Sequence, residues 1–198
     1  GQVDAPWPDA DHRFFNPRDA FGSHSDSDHV YNTPRAWAMH RFLNPGLGWD
    51  DPNAGWNPED DDIPWCMTPQ RKLTIEDVKY ALSLHYQGTP YDPYGDRGNA
   101  STRGAYRPIG INRNGQLAVI QIRPYAPESC RAIQWMAYGS NAFNALVPFF
   151  ANVDATPEYL ANTTPHVTTE SFYWANRIIA AMADAHFNSC SRHIEHYN

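Results

Sequence analysis

The chain has 198 residues, of which 41% are hydrophobic and 14% aromatic, and its formal net charge at neutral pH is −7. This length and aromatic content predict a packed core and exclude a disordered chain. The acidic balance argues against nucleic acid or an anionic membrane as the main partner. No apolar run reaches the roughly 20 residues that cross a bilayer, and the N-terminus carries no basic-then-apolar signal segment. The sequence therefore predicts a cytoplasmic protein.

The three cysteines, Cys66, Cys130 and Cys190, match neither a disulfide framework nor a CxxC metal site. We expect them to be buried free thiols in a reducing cytoplasm. Two stretches rich in histidine or aspartate, residues 24–29 and 60–62, fit no established zinc or calcium spacing. We interpret both as solvated loops and expect no metal and no other cofactor.

Residues 1–30 are polar and are predicted to be an irregular tail, with one short strand near residues 12–15. A helix is predicted over residues 34–43, because an Asn-Thr pair can cap its start and Pro34 suits its first turn. A loop rich in Trp, Pro, Gly and Asp follows over residues 44–71. A loop of this length is usually functional or a spacer inside an assembly.

The next helix is predicted from a capping pattern. Thr74 and Asp77 form a capping box, which indicates that the helix begins at Ile75. Apolar residues at helical spacing continue as far as Tyr86, and Gly88 is well placed to end the helix. The predicted helix therefore leads directly into an aromatic segment.

Two apolar stretches, residues 117–123 and 131–138, are predicted to be strands that are buried on both faces. The short connection between them indicates an antiparallel hairpin. A tight-turn Asn-Gly pair before the first strand favours a further strand over residues 107–112.

A last helix is predicted over residues 171–188, and residues 189–198 are read as an irregular tail. Its apolar stripe consists of Phe172, Ala175, Ile178, Ile179, Met182, Ala183 and His186. Helices combined with an antiparallel hairpin predict the α+β class. We expect residues 1–198 to form a single domain.

Three side chains are candidates for a site. Arg123 ends a core strand on the same face as Gln121, and removing a guanidinium from water is costly unless it is paired. It forms either a structural ion pair or the wall of a site. Arg35, in the first turn of its helix, is either solvated or a site residue. His85 is either a satisfied core histidine or a hydrogen-bonding support for the loop that follows.

Several segments, taken in chain order, resemble one known family. Residues 85–92 (His-Tyr-Gln-Gly-Thr-Pro-Tyr-Asp) are similar to the HY-E/Q-GT-x-YD stretch of the bacterial cysteine dipeptidases, which are N-terminal-nucleophile hydrolases. Other segments resemble that family in the same order: residues 106–109, 112–113, 121–123, 134–139, 141–150 and 172–177.

The resemblance implies the αββα sandwich, in which two antiparallel sheets face each other between helices. It also implies a cysteine peptidase that hydrolyses dipeptides of broad specificity. In such enzymes an N-terminal cysteine thiolate is the nucleophile and its own α-amino group is the base. Because this chain starts Gly1-Gln2-Val3, we expect it to be the C-terminal portion of a longer dipeptidase and to be inactive alone. The N-terminal portion of the same protein would then be its partner.

The resemblance also suggests site residues. By comparison with the related bile-salt hydrolases and penicillin acylases, Arg35 is expected to be the catalytic cation, and Arg123 is the second catalytic candidate. A guanidinium can hold a dipeptide carboxylate through two hydrogen bonds. His85, Tyr91 and Asp92 are expected to shape the substrate-binding loop.

Two alternatives stay open at this point. One is a noncatalytic binding or assembly module that uses residues 44–71 as its contact surface. The other is an amidase or acylase that acts on other amides, as the bile-salt hydrolases do. In each case the exposed aromatic loops lead us to expect a homo-oligomer.

Overall fold

A computed structural model describes residues 21–51, 53, 56–139 and 141–197. The chain divides into two compact units, Gly1–Lys72 and Leu73–Asn198, and the expectation of one domain stays a prediction. The strand expected near residues 12–15 lies outside the described residues, as does most of the irregular tail. Among the residues that are described, no helix combines the length and hydrophobicity needed to traverse a bilayer.

Two consecutive helices lie within the described residues of the first unit. The one-turn helix α1 (Asp28–Tyr31) leads through Asn32 into α2 (Thr33–Leu43), and a 3-10 turn follows at Pro45–Leu47. The helix predicted here is confirmed, with Pro34 in its first turn, where the missing N–H leaves no hydrogen bond unmade.

The tail that was expected to be irregular through residue 30 becomes helical at α1, so that part of the prediction is wrong. The Asp28 carboxylate accepts hydrogen bonds from the Ser23 hydroxyl at 2.7 Å and from the Ser25 N–H at 3.0 Å. These local side-chain bonds order the residues before α1, and they leave no hydrophobic signature in the sequence.

Among the described residues of the first unit, the loop that follows α2 packs against that helix. Trp49 is buried and stacks on Trp56 with ring centroids 4.8 Å apart, and on His40 at 5.7 Å. Trp37, on α2, donates its indole N–H to the Trp56 carbonyl at 3.3 Å. Indole rings from this loop therefore pack against α2 and against one another.

His40 connects α2 to the far part of this loop. Its Nε2 lies 2.8 Å from the carbonyl oxygen of Pro64, so this nitrogen carries the proton and donates. Its Nδ1 is buried and has no hydrogen-bond partner among the described residues. Burial lowers the pKa of His40, because protonation would place a second N–H where it finds no acceptor.

Within its described residues, the second unit contains one antiparallel sheet with strand order β1-β2-β3. The strands are β1 (Gln116–Ile122), β2 (Ala132–Tyr138) and β3 (Val147–Phe150). The helices are α3 (Ile75–Ala81), α4 (Glu158–Ala161), α5 (Phe172–Ala185) and α6 (Phe187–Tyr197), with a 3-10 turn at Glu128–Cys130. The fold class is therefore α+β, as predicted.

The predicted hairpin is confirmed, since β1 pairs with β2 in an antiparallel register that begins with Gln116 opposite Tyr138. Burial of both faces is wrong for β1. Ile120 and Ile122 are 74% and 68% exposed. Their side chains lie on the face of the sheet that no described element covers, so alternation in β1 separates a buried face from an exposed apolar one.

The helix α3 begins as predicted. Thr74 Oγ1 accepts the Asp77 N–H at 3.2 Å, and the Thr74 N–H donates to Asp77 Oδ2 at 2.8 Å. This reciprocal pair satisfies two of the N–H groups that a helix start leaves without partners.

The end of α3 differs from the prediction, because the helix stops at Ala81 and does not reach Gly88. The Ser83 hydroxyl lies 2.7 Å from the Lys79 carbonyl, a side-chain bond that competes with continued helix. Tyr86 then adopts a left-handed φ of 68°. The chain therefore turns before the glycine that was expected to stop it.

Residues 107–112 form an irregular segment with a bend, so the strand predicted there is wrong. The Gly110 N–H donates to the Leu84 carbonyl at 2.8 Å, a tertiary bond that replaces pairing in a sheet. A Cβ on Gly110 would lie 2.4 Å from the carbonyl oxygen of Ser83. Only glycine permits this close approach of two backbone segments.

The last predicted helix is confirmed as α5, but its buried face is shifted. Ile179 and Met182, both in the predicted stripe, are 43% and 61% exposed. The buried residues are Phe172, Asn176, Ala180 and Ala183. The shift follows from packing, because small side chains allow α5 to approach its neighbours closely.

The tail predicted to be irregular over residues 189–198 is wrong as far as Tyr197, since α6 occupies it. The apolar side chains of α6 recur at helical spacing and pack against a cluster formed by Phe143, Ala180 and Ala183. These side chains are Phe187, Cys190 and Ile194.

Replacing Thr74 by alanine removes the hydroxyl acceptor from the start of α3. We expect the free energy of unfolding to fall by about 1 kcal/mol, the usual cost of losing such a cap, as measured by urea denaturation. Thr74→Ser keeps the hydroxyl and should unfold like the wild type. Equal stability of the alanine variant would show that the capping box does not stabilise α3.

Candidate functional site

His85 and Asp92 form a buried pair in the second unit. The ring Nδ1 lies 2.9 Å from Asp92 Oδ1, and the two side chains are 6% and 9% exposed. The same carboxylate oxygen accepts the Tyr94 N–H at 2.9 Å. Because Oδ1 is an acceptor, Nδ1 carries the proton of this hydrogen bond.

Tight turns in residues 85–92 explain why two side chains seven positions apart meet. Tyr86, with its positive φ, presents its carbonyl to both the N–H and the hydroxyl of Thr89, at 3.1 and 2.7 Å. The Gln87 side chain accepts the His85 N–H at 2.8 Å. The polar groups of this short segment thus satisfy one another.

Aromatic rings hold the imidazole in place. His85 makes edge contacts with Tyr94 and Phe187, each with ring centroids 5.3 Å apart, and these two rings stack on each other at 4.2 Å. The Tyr94 hydroxyl donates to Asp184 on α5 at 2.5 Å. Burial and the Asp184 carboxylate raise the pKa of Tyr94, so its hydroxyl stays protonated and serves as a donor.

A cavity of about 370 Å³ lies beside the pair, and both His85 and Asp92 line it. Its wall carries both signs of charge, through Lys79 and Asp92, and several neutral polar groups. The other lining residues include Tyr80, Ser83, Gln87, Phe187 and Ser191. A cavity of this size with a few convergent polar groups suits a small polar ligand.

The structure brings together two members of the predicted set and leaves two elsewhere in the unit. Tyr91 is half-buried and packs on Tyr106 with ring centroids 4.7 Å apart, away from the cavity wall. Arg123 donates from Nη2 to the Cys130 carbonyl, across the connection between β1 and β2. Within the described residues its partner is therefore a carbonyl and not a carboxylate. The functional roles of both residues stay predictions.

Arg35 lies in the first unit, where neighbouring side chains hold it. Its Nε donates to the Tyr31 carbonyl, and its Nη2 donates to Asn32 Oδ1 at 3.1 Å. Asn32 in turn donates its amide to Asp28. Arg35 is therefore a positioned and half-buried cation, whose catalytic role stays a prediction.

Asp28 is the acceptor on which this arrangement depends. Hydrogen bonds from the Ser23 hydroxyl, the Ser25 N–H and the Asn32 amide lower the pKa of its carboxyl to about 2. A solvated loop was the interpretation for this stretch, and it is wrong at Asp28, which is buried. Over the described ranges, no group of three or more His, Cys, Asp or Glu side chains is arranged to hold a metal ion.

The cysteines are unpaired, as expected, but they are not buried. Cys66 is exposed, and Cys130 and Cys190 are half-buried. Cys190 lies on α6 and packs against the cluster of Phe143, Ala180 and Ala183 instead of lying in an irregular tail. None of the three is among the residues that line the cavity.

Sequence reasoning missed Lys79, Ser83 and Ser191 as cavity residues. The first two are four positions apart and lie six and two residues before His85, so helical spacing could have placed them on one face. For Ser191 there was no such signal, because the helix that presents it was not predicted.

The chain matches peptidase family C69 over residues 6–198. It is 68% identical to a dipeptidase of Bifidobacterium longum over 92% of this chain and 34% of that protein. It is 52% identical to a probable dipeptidase A of Streptococcus pyogenes, covering 94% of this chain and 38% of that protein. It is 41% identical to dipeptidase A of Lactobacillus helveticus, covering 89% and 36%. The chain thus spans about a third of the length of these curated relatives.

Replacing Asp92 by alanine leaves the His85 Nδ1–H and the Tyr94 N–H without their acceptor. We expect the free energy of unfolding to fall by about 2 kcal/mol, the usual cost of leaving buried donors unpaired, in urea titrations monitored by tryptophan fluorescence. Asp96→Ala, in the exposed part of the same loop, is the matched control and should change stability by less than about 0.5 kcal/mol. Equal effects of the two substitutions would contradict a structural role for the pair.

The lowered pKa of Asp28 predicts the direction in which the stability of the protein changes with pH. Because its folded-state pKa of about 2 lies below the ordinary 3.8, the ionised carboxylate stabilises the fold fully above about pH 4, and the gain is lost as the pH falls toward about 2. Wild type should therefore be more stable than Asp28→Asn near neutral pH, and urea titrations should show the difference shrinking in acid.

Asp26→Asn, at an exposed neighbouring aspartate, is the control for this titration. A stability difference between wild type and Asp28→Asn that stays constant across the acidic range would show that the Asp28 carboxylate is not held in its ionised form.

Proposed function

The chain belongs to peptidase family C69, and we propose that the whole protein is a dipeptidase that hydrolyses dipeptides of broad specificity. The His85–Asp92 pair at the edge of a polar cavity is the observation that carries the proposal. Three residues of its wall, His85, Gln87 and Asp92, belong to the segment whose sequence resembles the cysteine dipeptidases. The relatives that this chain matches over most of its own length are named dipeptidases or probable dipeptidases.

The chemistry of the cavity wall suits a dipeptide. A dipeptide at neutral pH carries an ammonium group, a carboxylate and one amide. The cavity offers an anionic side chain in Asp92, a cationic one in Lys79, and the His85 imidazole. A ligand with both charges can pair with both sides of such a wall, which offsets the cost of removing those charges from water.

The nucleophile in this proposal is an N-terminal cysteine that belongs to the whole protein and lies outside these 198 residues. The cysteines present here are poor candidates. In the part of the chain that the structure describes, none of them is hydrogen-bonded to a histidine or a lysine that could activate its thiol. This chain would supply scaffold and polar side chains, and it would be inactive alone.

We also propose that the whole protein folds as an αββα sandwich. The support for this fold is the exposed apolar face of β1, where Ile120 and Ile122 would pack against a facing sheet. Burying one such side chain is worth about 1.5–3 kcal/mol. We assign the facing sheet to the N-terminal portion of the same protein.

Arg35 is the catalytic cation in this proposal, and Arg123 is the alternative. The catalytic role of Arg35 is supported by its hydrogen bond to Asn32, which is itself hydrogen-bonded to Asp28. These bonds fix the position of the cation, and a fixed cation can stabilise a thiolate or hold a substrate carboxylate. The guanidinium of Arg123 is engaged with a turn carbonyl, an arrangement that also suits a structural residue.

We further propose that the protein is cytoplasmic and forms a homo-oligomer. Unpaired cysteines suit a reducing cytoplasm, and exposed aromatic side chains such as Trp65 and Tyr125 suit a homo-oligomer. The noncatalytic module has less support, because residues 44–71 bury Trp49 and Ile63 within their own unit.

The test is hydrolysis of the dipeptide Ala-Ala. The enzyme assayed is the longer protein that contains these residues, expressed at about the length of the curated relatives. Wild type should cleave the dipeptide, and Arg35→Ala should lower kcat/KM by about 100-fold, because one charge-stabilising donor is worth that much in related chemistry. Arg113→Ala, at an exposed arginine in the turn before β1, should leave kcat/KM unchanged.

Two results would count against the proposal. A wild-type protein that cleaves no dipeptide would defeat the dipeptidase assignment. Normal kcat/KM in Arg35→Ala would remove that arginine from the site, and the Arg123→Ala variant would then be the next to measure.

A further inference from the structure

Most polar side chains in the wall of the cavity beside His85 already have partners within the protein. Asp92 accepts hydrogen bonds from the His85 ring and from a backbone N–H. The Ser83 hydroxyl lies 2.7 Å from the Lys79 carbonyl and 2.8 Å from the Asn141 carbonyl. Three further wall residues also have interactions of their own: Lys79, Tyr80 and Gln87. These contacts hold the wall in shape, so the partners of a ligand are better sought among the remaining groups.

Two polar groups of the same wall make no hydrogen bond. The hydroxyl of Ser191, a half-buried residue, has no such partner within the described residues. His85 bonds through Nδ1 and through its backbone N–H, which leaves Nε2 without a hydrogen bond in that part of the chain. In the neutral ring Nε2 is then an acceptor, whereas a serine hydroxyl can accept or donate.

The helix α6 brings Ser191 to the same part of the cavity as the His85 ring. Phe187, the first residue of α6, contacts that ring with centroids 5.3 Å apart, and Ser191 follows it by four positions. Residues four apart lie on one face of a helix. The face of α6 that packs on His85 therefore also presents the serine hydroxyl to the cavity.

We propose that the Ser191 hydroxyl and His85 Nε2 together bind an N–H group of the dipeptide substrate. The inference rests on the proposed dipeptidase function and adds Ser191 to it as a substrate-binding residue. A neutral imidazole with its proton on Nδ1 needs a donor at Nε2. A dipeptide has N–H donors in its ammonium group and in its amide, and a nitrogen between the two side chains can reach both acceptors.

An oxygen of the ligand fits the same two groups less well than a nitrogen does. A carbonyl or carboxylate oxygen has no proton to donate to Nε2. A ligand carboxylate would also approach the Asp92 carboxylate, which is hydrogen-bonded to the same ring at 2.9 Å, and like charges at short range repel. The site therefore favours the nitrogen-bearing part of a dipeptide.

The experiment isolates the hydroxyl with two substitutions of nearly the same shape, since threonine keeps a hydroxyl and valine lacks one. The enzyme is the longer protein that contains these residues. Ser191→Val should raise KM for Ala-Ala about fivefold, the contribution of one hydrogen bond. It should leave kcat unchanged, as expected where a group binds substrate and transition state equally. Ser191→Thr should retain the wild-type KM.

Ser189→Val is the matched control, because Ser189 is an exposed serine of the same helix and does not line the cavity. It should leave KM and kcat unchanged. If Ser191→Val and Ser191→Thr both keep the wild-type KM, the inference is overturned and the dipeptidase assignment stands. If both raise KM equally, the size of the side chain matters and the hydroxyl does not, which also overturns the inference.

Lactyl-alanine, in which a hydroxyl replaces the ammonium group of Ala-Ala, distinguishes the two nitrogens. Both ligands are titrated calorimetrically into wild type and Ser191→Val. If Ser191 binds the amide N–H, the substitution should weaken both ligands equally. If it binds the ammonium group, the substitution should weaken Ala-Ala more than lactyl-alanine. Either result supports the inference and identifies the nitrogen that is bound.

The same titration separates this inference from the proposed function. A wild type that cleaves no dipeptide defeats the function, and the affinity for Ala-Ala then still tests the site. Wild type should bind Ala-Ala about fivefold more tightly than Ser191→Val does. Equal affinities, or a wild type that binds no Ala-Ala, would overturn the inference.

Discussion

The conformation of the aromatic loop in the second unit depends on one carboxylate. Asp92 accepts hydrogen bonds from the His85 ring and from the Tyr94 backbone, and it thereby fixes two residues on either side of a tight loop. Tyr94 carries this constraint onward, since its hydroxyl bonds to Asp184 on α5 and its ring stacks on Phe187 at the start of α6. The loop that was predicted to shape the substrate site therefore joins the helical part of the unit to the cavity wall.

The first unit uses the same strategy with different residues. Asp28 gathers hydrogen bonds from serine and asparagine side chains, and Asn32 passes that order to Arg35. In both units a buried acidic side chain sets the position of a basic one through short local bonds. Such arrangements fix orientation more than they add stability, because much of the gain is offset by desolvation of the charges.

The sequence predicted the elements whose signals are local. The capping box of Thr74 and Asp77, Pro34 in the first turn of α2, and the apolar runs of β1 and β2 all appear where they were expected. The errors arise where tertiary contacts decide. A serine hydroxyl ends α3 early, a backbone contact at Gly110 replaces a strand, and small residues rotate the buried face of α5. The candidate site likewise combines residues with a local sequence signal and residues that only tertiary structure brings together. His85 and Asp92 were recognisable from one segment, whereas the cavity wall also needs Ser191, which only the fold brings near them.

The first strand of the sheet has a practical consequence for anyone who produces these residues alone. β1 is an edge strand, with a hydrogen-bonded neighbour on one side only among the described residues, and its sequence from Gln116 to Ile122 contains no charged residue or proline. Natural proteins usually place such groups on free edges to discourage intermolecular strand pairing. With two exposed isoleucines on the same strand, this segment is an aggregation hazard. Expression of the 198 residues by themselves is therefore expected to favour inclusion bodies, and charged substitutions at Ile120 and Ile122 are the rational starting point for recovering dispersed material.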